Sequence, residues 1–141
     1  MTDVEQAGVV RLDVRPTLAA GGEPFGEIIA AADALPEGGV LEILAPFEPV
    51  PLYRVMRHRG FAHIATLLPG GDVLARFTST GITPDQLLAD VAARHPAAAP
   101  VLARHGFDLC CGGAKPVELA ARAHGVDLDV LLDELQSAAM Q

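Results

Sequence analysis

Two adjacent cysteines followed by two glycines are the feature of this sequence best suited to chemistry. The segment Cys110-Cys111-Gly112-Gly113 contains both cysteines of the 141-residue chain. Neighbouring Cα atoms lie about 3.8 Å apart across a trans peptide, below the roughly 4.4–6.8 Å usual for a disulfide. A bridge between these cysteines would be strained, so the pair indicates reactive or metal-binding thiols or, alternatively, buried packing.

Local features around the pair favour the thiolate form. Pro116 marks the start of a predicted helix, whose N-terminal partial positive charge lowers the pKa of a nearby thiol, and Lys115 adds a cation. Gly112 and Gly113 permit a sharp turn that lets backbone N–H groups face a sulfur or an anion. We therefore expect accessible thiols, at least one of them with a depressed pKa.

Two adjacent thiolates do not complete the four-ligand set of tetrahedral zinc or of an iron–sulfur cluster. His105 and His124 are the nearest histidines in sequence and are the candidate further ligands. Each precedes a glycine that ends a predicted helix, where a histidine also favours the helix C-terminus, so a structural role is the alternative. A second chain could instead supply two more thiolates, which predicts a homodimer.

The elements that must position these residues form two groups. Apolar runs with period two alternate with runs of helical period over residues 9–78, which predicts the order β-α-β-α-β-β. Thr83-Pro84 then predicts a helix start, and four short alanine-rich helices follow. We predict an α+β fold: residues 1–80 form a small two-layer α/β domain, and residues 81–141 form a helical module that carries the cysteines.

Charge excludes several classes of partner. The chain has 10 Lys and Arg against 18 Asp and Glu, a net charge of −8, with no basic arm to bind nucleic acid or an anionic membrane. No apolar run reaches the roughly 18–20 residues that span a bilayer, and the acidic N-terminus lacks the apolar segment of a signal peptide. These features predict a cytoplasmic protein whose partner is another protein.

Four segments in the last third of the chain form a recognisable pattern. They are His95-Pro96, Gly106-Phe107-Asp108-Leu109-Cys110-Cys111-Gly112-Gly113, Glu118-Leu119-Ala120 and Gly125-Val126-Asp127. With these segments, residues 85–135 resemble the N-terminal domain of the ScdA/YtfE-type iron–sulfur cluster repair proteins, the RIC family. The resemblance implies iron, iron–sulfur or nitrosative-stress biology, with Cys110 and Cys111 as functional thiols and iron or a cluster as cofactor. The family's hemerythrin-like di-iron bundle has no counterpart in this sequence, so we expect an accessory role and not a self-sufficient enzyme.

The first half of the chain carries a weaker resemblance. The segments are Leu12-Asp13-Val14-Arg15, Ala34-Leu35-Pro36-Glu37-Gly38 and Pro49-Val50-Pro51-Leu52. With them, residues 9–78 resemble uncharacterised domains similar to the sulfur carrier TusA. TusA-like carriers place a Cys-Pro at the start of the first helix, where this chain has Glu23-Pro24. The resemblance therefore implies a binding platform without the family's persulfide cysteine.

The functional hypothesis is an accessory protein whose vicinal cysteines bind metal or a cluster, or sense redox state or nitric oxide. Two alternatives stay open at this point. One is a thiol-based carrier in which Cys110 or Cys111 holds a persulfide. The other is a structural interaction module with buried thiols.

Overall fold

The structure is a computed structural model that describes residues 9–107, 109 and 113–140, together with the backbone of residues 2–6. The cysteines Cys110 and Cys111 and the adjacent Gly112 lie outside the described residues. The site is therefore built below from the residues that flank them.

Five strands form one mixed sheet. They are β1 (Thr2–Gln6), β2 (Val9–Asp13), β3 (Val40–Ala45), β4 (Phe61–Leu67) and β5 (Val73–Ser79). Their order across the sheet is β1-β2-β3-β5-β4. β2 and β3 are parallel, whereas β1 pairs antiparallel with β2 and β5 pairs antiparallel with β3.

Short helices connect the strands and make up the rest of the described chain. The strand-rich part holds α1 (Arg15–Ala19), α2 (Phe25–Asp33) and α3 (Val50–His58). The later part holds α4 (Leu88–Arg94), a 3₁₀ turn (Pro96–Ala98), α5 (Ala99–Arg104), α6 (Val117–Ala123) and α7 (Leu128–Ala139). The predicted α+β class, a strand-rich part followed by a helical part, is confirmed. Beyond the predicted elements, the structure adds β1 and α1.

The contacts of the chain group it into two compact units. The sheet unit comprises Met1–Tyr53 and His63–Ser79, and the helical unit comprises Arg54–Ala62 and Thr80–Gln141. The second half of α3 therefore belongs to the helical unit. The division into domains at residue 80 stays a prediction about which fragments fold alone.

One face of the sheet supplies the core of the sheet unit. Leu12 and Ile43 are in register, as are Leu41 and Phe77, and each of the four is at most 1% exposed. Successive strand residues point to opposite faces, so this period-two pattern places their apolar side chains together. Helix α2 adds buried residues to the same unit.

The opposite face carries an ion ladder, because Arg11, Glu42 and Arg76 are in register on β2, β3 and β5. Glu42 is buried, and its Oε1 accepts from Nε of Arg11 at 3.1 Å and from Nη2 at 2.8 Å. Its Oε2 accepts from Nη1 of Arg76 at 3.4 Å. A buried carboxylate needs such partners, since an unpaired buried charge is strongly destabilising.

The single tyrosine of the chain closes the sheet unit on its core side. Tyr53 is 7% exposed and stacks on the ring of His63, with centroids 4.0 Å apart. Its hydroxyl donates to Oε2 of Glu48 at 3.1 Å. Burial, assisted by this bond to a carboxylate, raises the pKa of Tyr53 to about 12.

Small and branched apolar residues build the core of the helical unit. Close helix packing accounts for the alanines, since a methyl side chain lets backbones approach. The buried cluster consists of Ile82, Leu88, Val91, Ala98, Val101, Leu102, Phe107, Val117, Ala120, Ala121, Leu131, Leu132 and Leu135. It draws residues from α4, the 3₁₀ turn, α5, α6 and α7.

A charged cluster joins the end of α3 to the start of α7 within the helical unit. Asp129 accepts from Nε of Arg54 at 3.1 Å and from Nη1 of Arg57 at 3.2 Å, and it lies 2.9 Å from Nε2 of His58. Partial burial raises the pKa of Asp129, but the bonds from His58 and the two arginines outweigh it, so the pKa lies below its ordinary value. About two turns further along α7, Gln136 is buried and donates from Nε2 to the carbonyls of Arg57 and Ile82.

Candidate functional site

Two helix starts meet beside the cysteine segment. The segments 84–88 and 113–118 run antiparallel and share a backbone bridge between Leu87 and Pro116. Each segment supplies carbonyls to the first-turn amides of the other segment's helix: Leu88 N donates to Lys115 O, Ala89 N to Gly113 O, Val117 N to Gln86 O and Glu118 N to Pro84 O, at 2.9–3.0 Å. We call this arrangement the reciprocal cap. It satisfies amide groups that a helix start otherwise leaves unpaired.

The reciprocal cap explains why α4 begins later than predicted. The sequence predicts a helix start at Thr83-Pro84, but the helix begins at Leu88, because the carbonyls of Pro84 and Gln86 accept from the start of α6. The same bonds also occupy two amides of α6. Val117 N and Glu118 N are therefore not available to a sulfur or another anion.

Gly113 lies where the chain leaves the cysteine segment, and its missing side chain is required there. It is buried, and a Cβ built on it would lie 2.5 Å from the carbonyl oxygen of Leu109 and 3.1 Å from Cβ of Ala89. Real Cβ atoms do not approach a carbonyl oxygen this closely. The two described residues that flank the cysteines, Leu109 and Gly113, are thus in direct contact. The predicted cofactor-binding role of Gly113 stays a prediction beside this packing role.

The structure brings both predicted histidine ligands onto one aromatic ring. The ring of Phe107 lies 5.9 Å from that of His105 and 4.7 Å, edge-on, from that of His124. Phe107 is 7% exposed and anchors the pair to the core of the helical unit. Phe107 itself precedes Cys110 by three positions in the sequence.

A carboxylate that the sequence interpretation missed orients one of these histidines. Nε2 of His105 lies 2.7 Å from Oε1 of Glu134 on α7, and Oε2 of Glu134 accepts from Nη2 of Arg104 at 3.5 Å. Histidines that bind metals commonly hold a carboxylate through the ring nitrogen opposite the metal. In that arrangement Nδ1 of His105 is the atom that remains for a ligand. Nothing in the spacing of residues 105 and 134 signals this contact.

Among the described residues, no group of three or more His, Cys, Asp or Glu side chains is arranged to hold a metal ion. The predicted set of Cys110, Cys111, His105 and His124 is described only for its histidines. Its cysteines and the predicted cofactor-binding Gly112 lie outside the described residues, so this ligand set stays a prediction.

Fold and site together define a two-part α+β protein, with a sheet unit preceding a helical part that contains the two cysteines. Residues 84–139 match the family ScdA_N, described as a domain of unknown function (DUF542). Residues 11–79 match the family described as an uncharacterized conserved protein (DUF2249). The resemblance of the last part to the repair-protein domain and of the first part to uncharacterised domains is confirmed. The further likeness to TusA stays a prediction.

Curated relatives match the chain over a limited stretch. The iron–sulfur cluster repair proteins YtfE of Salmonella paratyphi B, Salmonella newport and Salmonella heidelberg are each 35% identical to it over 57 residues. The aligned stretch covers 40% of this chain and 26% of each relative, so the chain spans about a quarter of their length. No solved structure matches the chain. Among the described helices, none combines the length and apolar character needed to cross a bilayer.

Proposed function

We propose that this protein acts in iron–sulfur biology as an accessory thiol protein, in which Cys110 and Cys111 bind iron or an iron–sulfur cluster. The observation that carries the proposal is the 35% identity over 57 residues between this chain and the iron–sulfur cluster repair protein YtfE, beside the match of residues 84–139 to the ScdA_N family. Thiolates are the ordinary protein ligands of iron–sulfur clusters. A cytoplasmic location, where thiols stay reduced, suits such a pair.

The contacts around the cysteines support a ligand site at this place. The contact between Leu109 and Gly113 holds together the two ends of the cysteine segment. The ring of Phe107, three positions before Cys110 in the sequence, contacts both His105 and His124, and Glu134 fixes the orientation of His105. A carboxylate held at Nε2 fixes the ring so that Nδ1 is the nitrogen left to bind a metal.

Two ligand sets satisfy the demand for four donors, and they differ in stoichiometry. In the first, one chain supplies both cysteines together with His105 and His124. In the second, two chains supply four thiolates across a two-fold axis, which gives one site for two chains. The homodimer of the second set is part of the proposal, and the same accessible thiolates would also respond to oxidants or nitric oxide.

Anaerobic reconstitution of the full chain with ferrous iron and sulfide tests the proposal. We expect a visible charge-transfer band and bound iron that are both lost when Cys110→Ser and Cys111→Ser are combined. A wild-type chain that binds no iron above the level of the double variant would overturn the proposal. A mass increase of one sulfur atom on either cysteine of the protein as purified from cells, before any iron or sulfide is added and without colour, would identify the persulfide carrier instead.

Single histidine substitutions then separate the two ligand sets. His105→Ala and His124→Ala should each lower the iron content at least several-fold if one chain supplies all four ligands, and should leave it unchanged if two chains share the site. His58→Ala is the matched control, because His58 also pairs with a carboxylate and is similarly exposed, at 31% against 23% for His105. Loss of iron in the control as well would indicate general damage to the helical unit.

A further inference from the structure

The two edges of the sheet differ in the protection they carry against pairing with another strand. In the described part of the chain the sheet ends at β1 on one side and at β4 on the other. An edge strand presents unpaired N–H and C=O groups, and proteins protect such edges with charges, proline or bulges. Strand β1 contains Asp3 and Glu5 and has a register shift between Val4 and Gln6. Strand β4, with the sequence FAHIATL, has no Asp, Glu, Lys, Arg or Pro.

The unprotected edge is also apolar and open to solvent. Residues 64–67, the second half of β4, are exposed without a break. Ile64 is 61% exposed and Leu67 is 74% exposed, the two highest values among the large hydrophobic residues that the structure describes. Ile64 and Leu67 lie on opposite faces of the strand, because side chains alternate. A strand added at this edge would therefore bury one apolar side chain on each face of the sheet.

We propose that β4 pairs antiparallel with β4 of a second copy of this chain, so that the two sheets join edge to edge in a closed dimer. Charge selects this occupant. Two chains with a net charge of −8 each repel each other in most orientations. Strand β4 has no Asp, Glu, Lys or Arg side chain, so pairing β4 with its copy brings no like charges together in the strand itself. A strongly charged peptide from another protein would find no opposite charge on β4 to attract it.

The symmetry of antiparallel self-pairing also ends the assembly at two chains. A two-fold axis through the paired strands makes the interface isologous, so each copy uses its β4 edge once. The remaining edge of each copy is β1, where Asp3 and Glu5 oppose the approach of another acidic chain. Residues on the same face must meet across the joint, which restricts the register to steps of two residues.

Analytical ultracentrifugation of the full chain over a range of concentrations tests the proposal. We expect a monomer–dimer equilibrium whose dissociation constant rises at least tenfold for Ile64→Lys and for Leu67→Lys, because the paired strands would then bring like charges together. Val130→Lys is the matched control, since Val130 is 54% exposed on α7, outside the sheet. The control should retain the equilibrium of the unmodified chain.

Two further measurements test where the dimer interface lies. The first asks whether the dimer depends on the thiol site, and the second locates the interface without any substitution that could disturb folding. The variant combining Cys110→Ser with Cys111→Ser should stay dimeric, and a loss of dimer in it would assign the interface to the thiol site. Hydrogen exchange on the unmodified chain should slow in residues 64–67 as the concentration rises, which requires no substitution. A chain that stays monomeric, forms larger oligomers, or dimerises without protecting these amides would overturn the proposal.

Discussion

The ion ladder of the sheet unit and the reciprocal cap of the helical unit hold polar groups in different ways. On the sheet, charged side chains such as those of Arg11, Glu42 and Arg76 bind one another across strands. In the helical unit, the reciprocal cap joins backbone amides directly to backbone carbonyls, and Gly113 fits only because it has no side chain. Side chains at a surface can rearrange, whereas a backbone contact cannot, so the helical unit should tolerate added or removed atoms less well.

The largest expected effect is in the core of the helical unit. Leu132→Ala removes a fully buried side chain, and core truncations of this kind cost about 2–5 kcal/mol in the free energy of unfolding. Val130→Ala, two positions earlier on α7, removes a side chain that is 54% exposed and should change stability by less than about 0.5 kcal/mol. Urea unfolding followed by circular dichroism measures both. Equal effects would show that the helical unit has no fixed core.

The next effect concerns Gly113. Gly113→Ala places a Cβ against the Leu109 carbonyl and should destabilise the protein by about 1–3 kcal/mol, because the backbone must shift. Gly26→Ala on α2 is the matched control, since an added Cβ there meets no atom within 4 Å. It should be neutral or stabilise by up to about 1 kcal/mol. A Gly113→Ala chain as stable as the control would remove the contrast between the two units.

A smaller effect is expected from the ion ladder. Glu42→Gln keeps the shape of the side chain but removes the charge that Arg11 and Arg76 share. The two arginine side chains are 41% and 51% exposed and can turn to water. The free energy of unfolding, measured by thermal unfolding, should therefore fall by about 1–2 kcal/mol. A decrease of more than about 4 kcal/mol in the free energy of unfolding would mean that the ion ladder is as rigid as the reciprocal cap.

The smallest effect is the pH dependence of Asp129. Its lowered pKa means that its ion pairs stabilise the folded chain above the ordinary pKa of about 3.9, and that this contribution disappears as the pH falls through the lower folded value. Since Arg54 is 72% exposed, Asp129→Asn should cost about 1 kcal/mol or less at neutral pH. In acid unfolding, the stabilities of the unmodified chain and of Asp129→Asn should converge at low pH. A difference that persists there would assign the effect to packing.

Period-two and helical patterns in the sequence predict most of the elements, for physical reasons visible in their burial. Buried β3 has an apolar residue at almost every position, and β4 and β5 flank a Gly-rich turn. Strand β1 was missed, since Thr2–Gln6 is polar and forms a strand through antiparallel pairing with β2. The five-residue helix α1 was missed because it falls between predicted elements.

The residues of the candidate site were chosen by type and position in the sequence, and their contacts could not be predicted. His105 and His124 were selected for their positions in sequence, yet their common contact with Phe107 depends on how α5 and α6 pack. The pairing of His105 with Glu134 joins residues on different helices, which no local pattern encodes. The reciprocal cap likewise consists of hydrogen bonds between backbone groups alone, so side-chain types in the sequence do not predict it.

The buried environment of Tyr53 allows its ultraviolet absorbance to report on opening of the sheet unit. With one tyrosine and no tryptophan, the chain's near-ultraviolet absorbance at wavelengths longer than the phenylalanine bands arises from a single buried phenol in the sheet unit. The raised pKa of about 12 keeps that phenol neutral in the folded state at a pH where an unfolded tyrosine, with a pKa of about 10, is ionised. Phenolate absorbance between these two values therefore measures opening of the sheet unit, and the phenol's contribution to stability is lost as the pH rises through the folded pKa. Any visible band from iron bound at the cysteines would stand against a nearly empty background, so one spectrum could follow the sheet unit and the cysteine site separately.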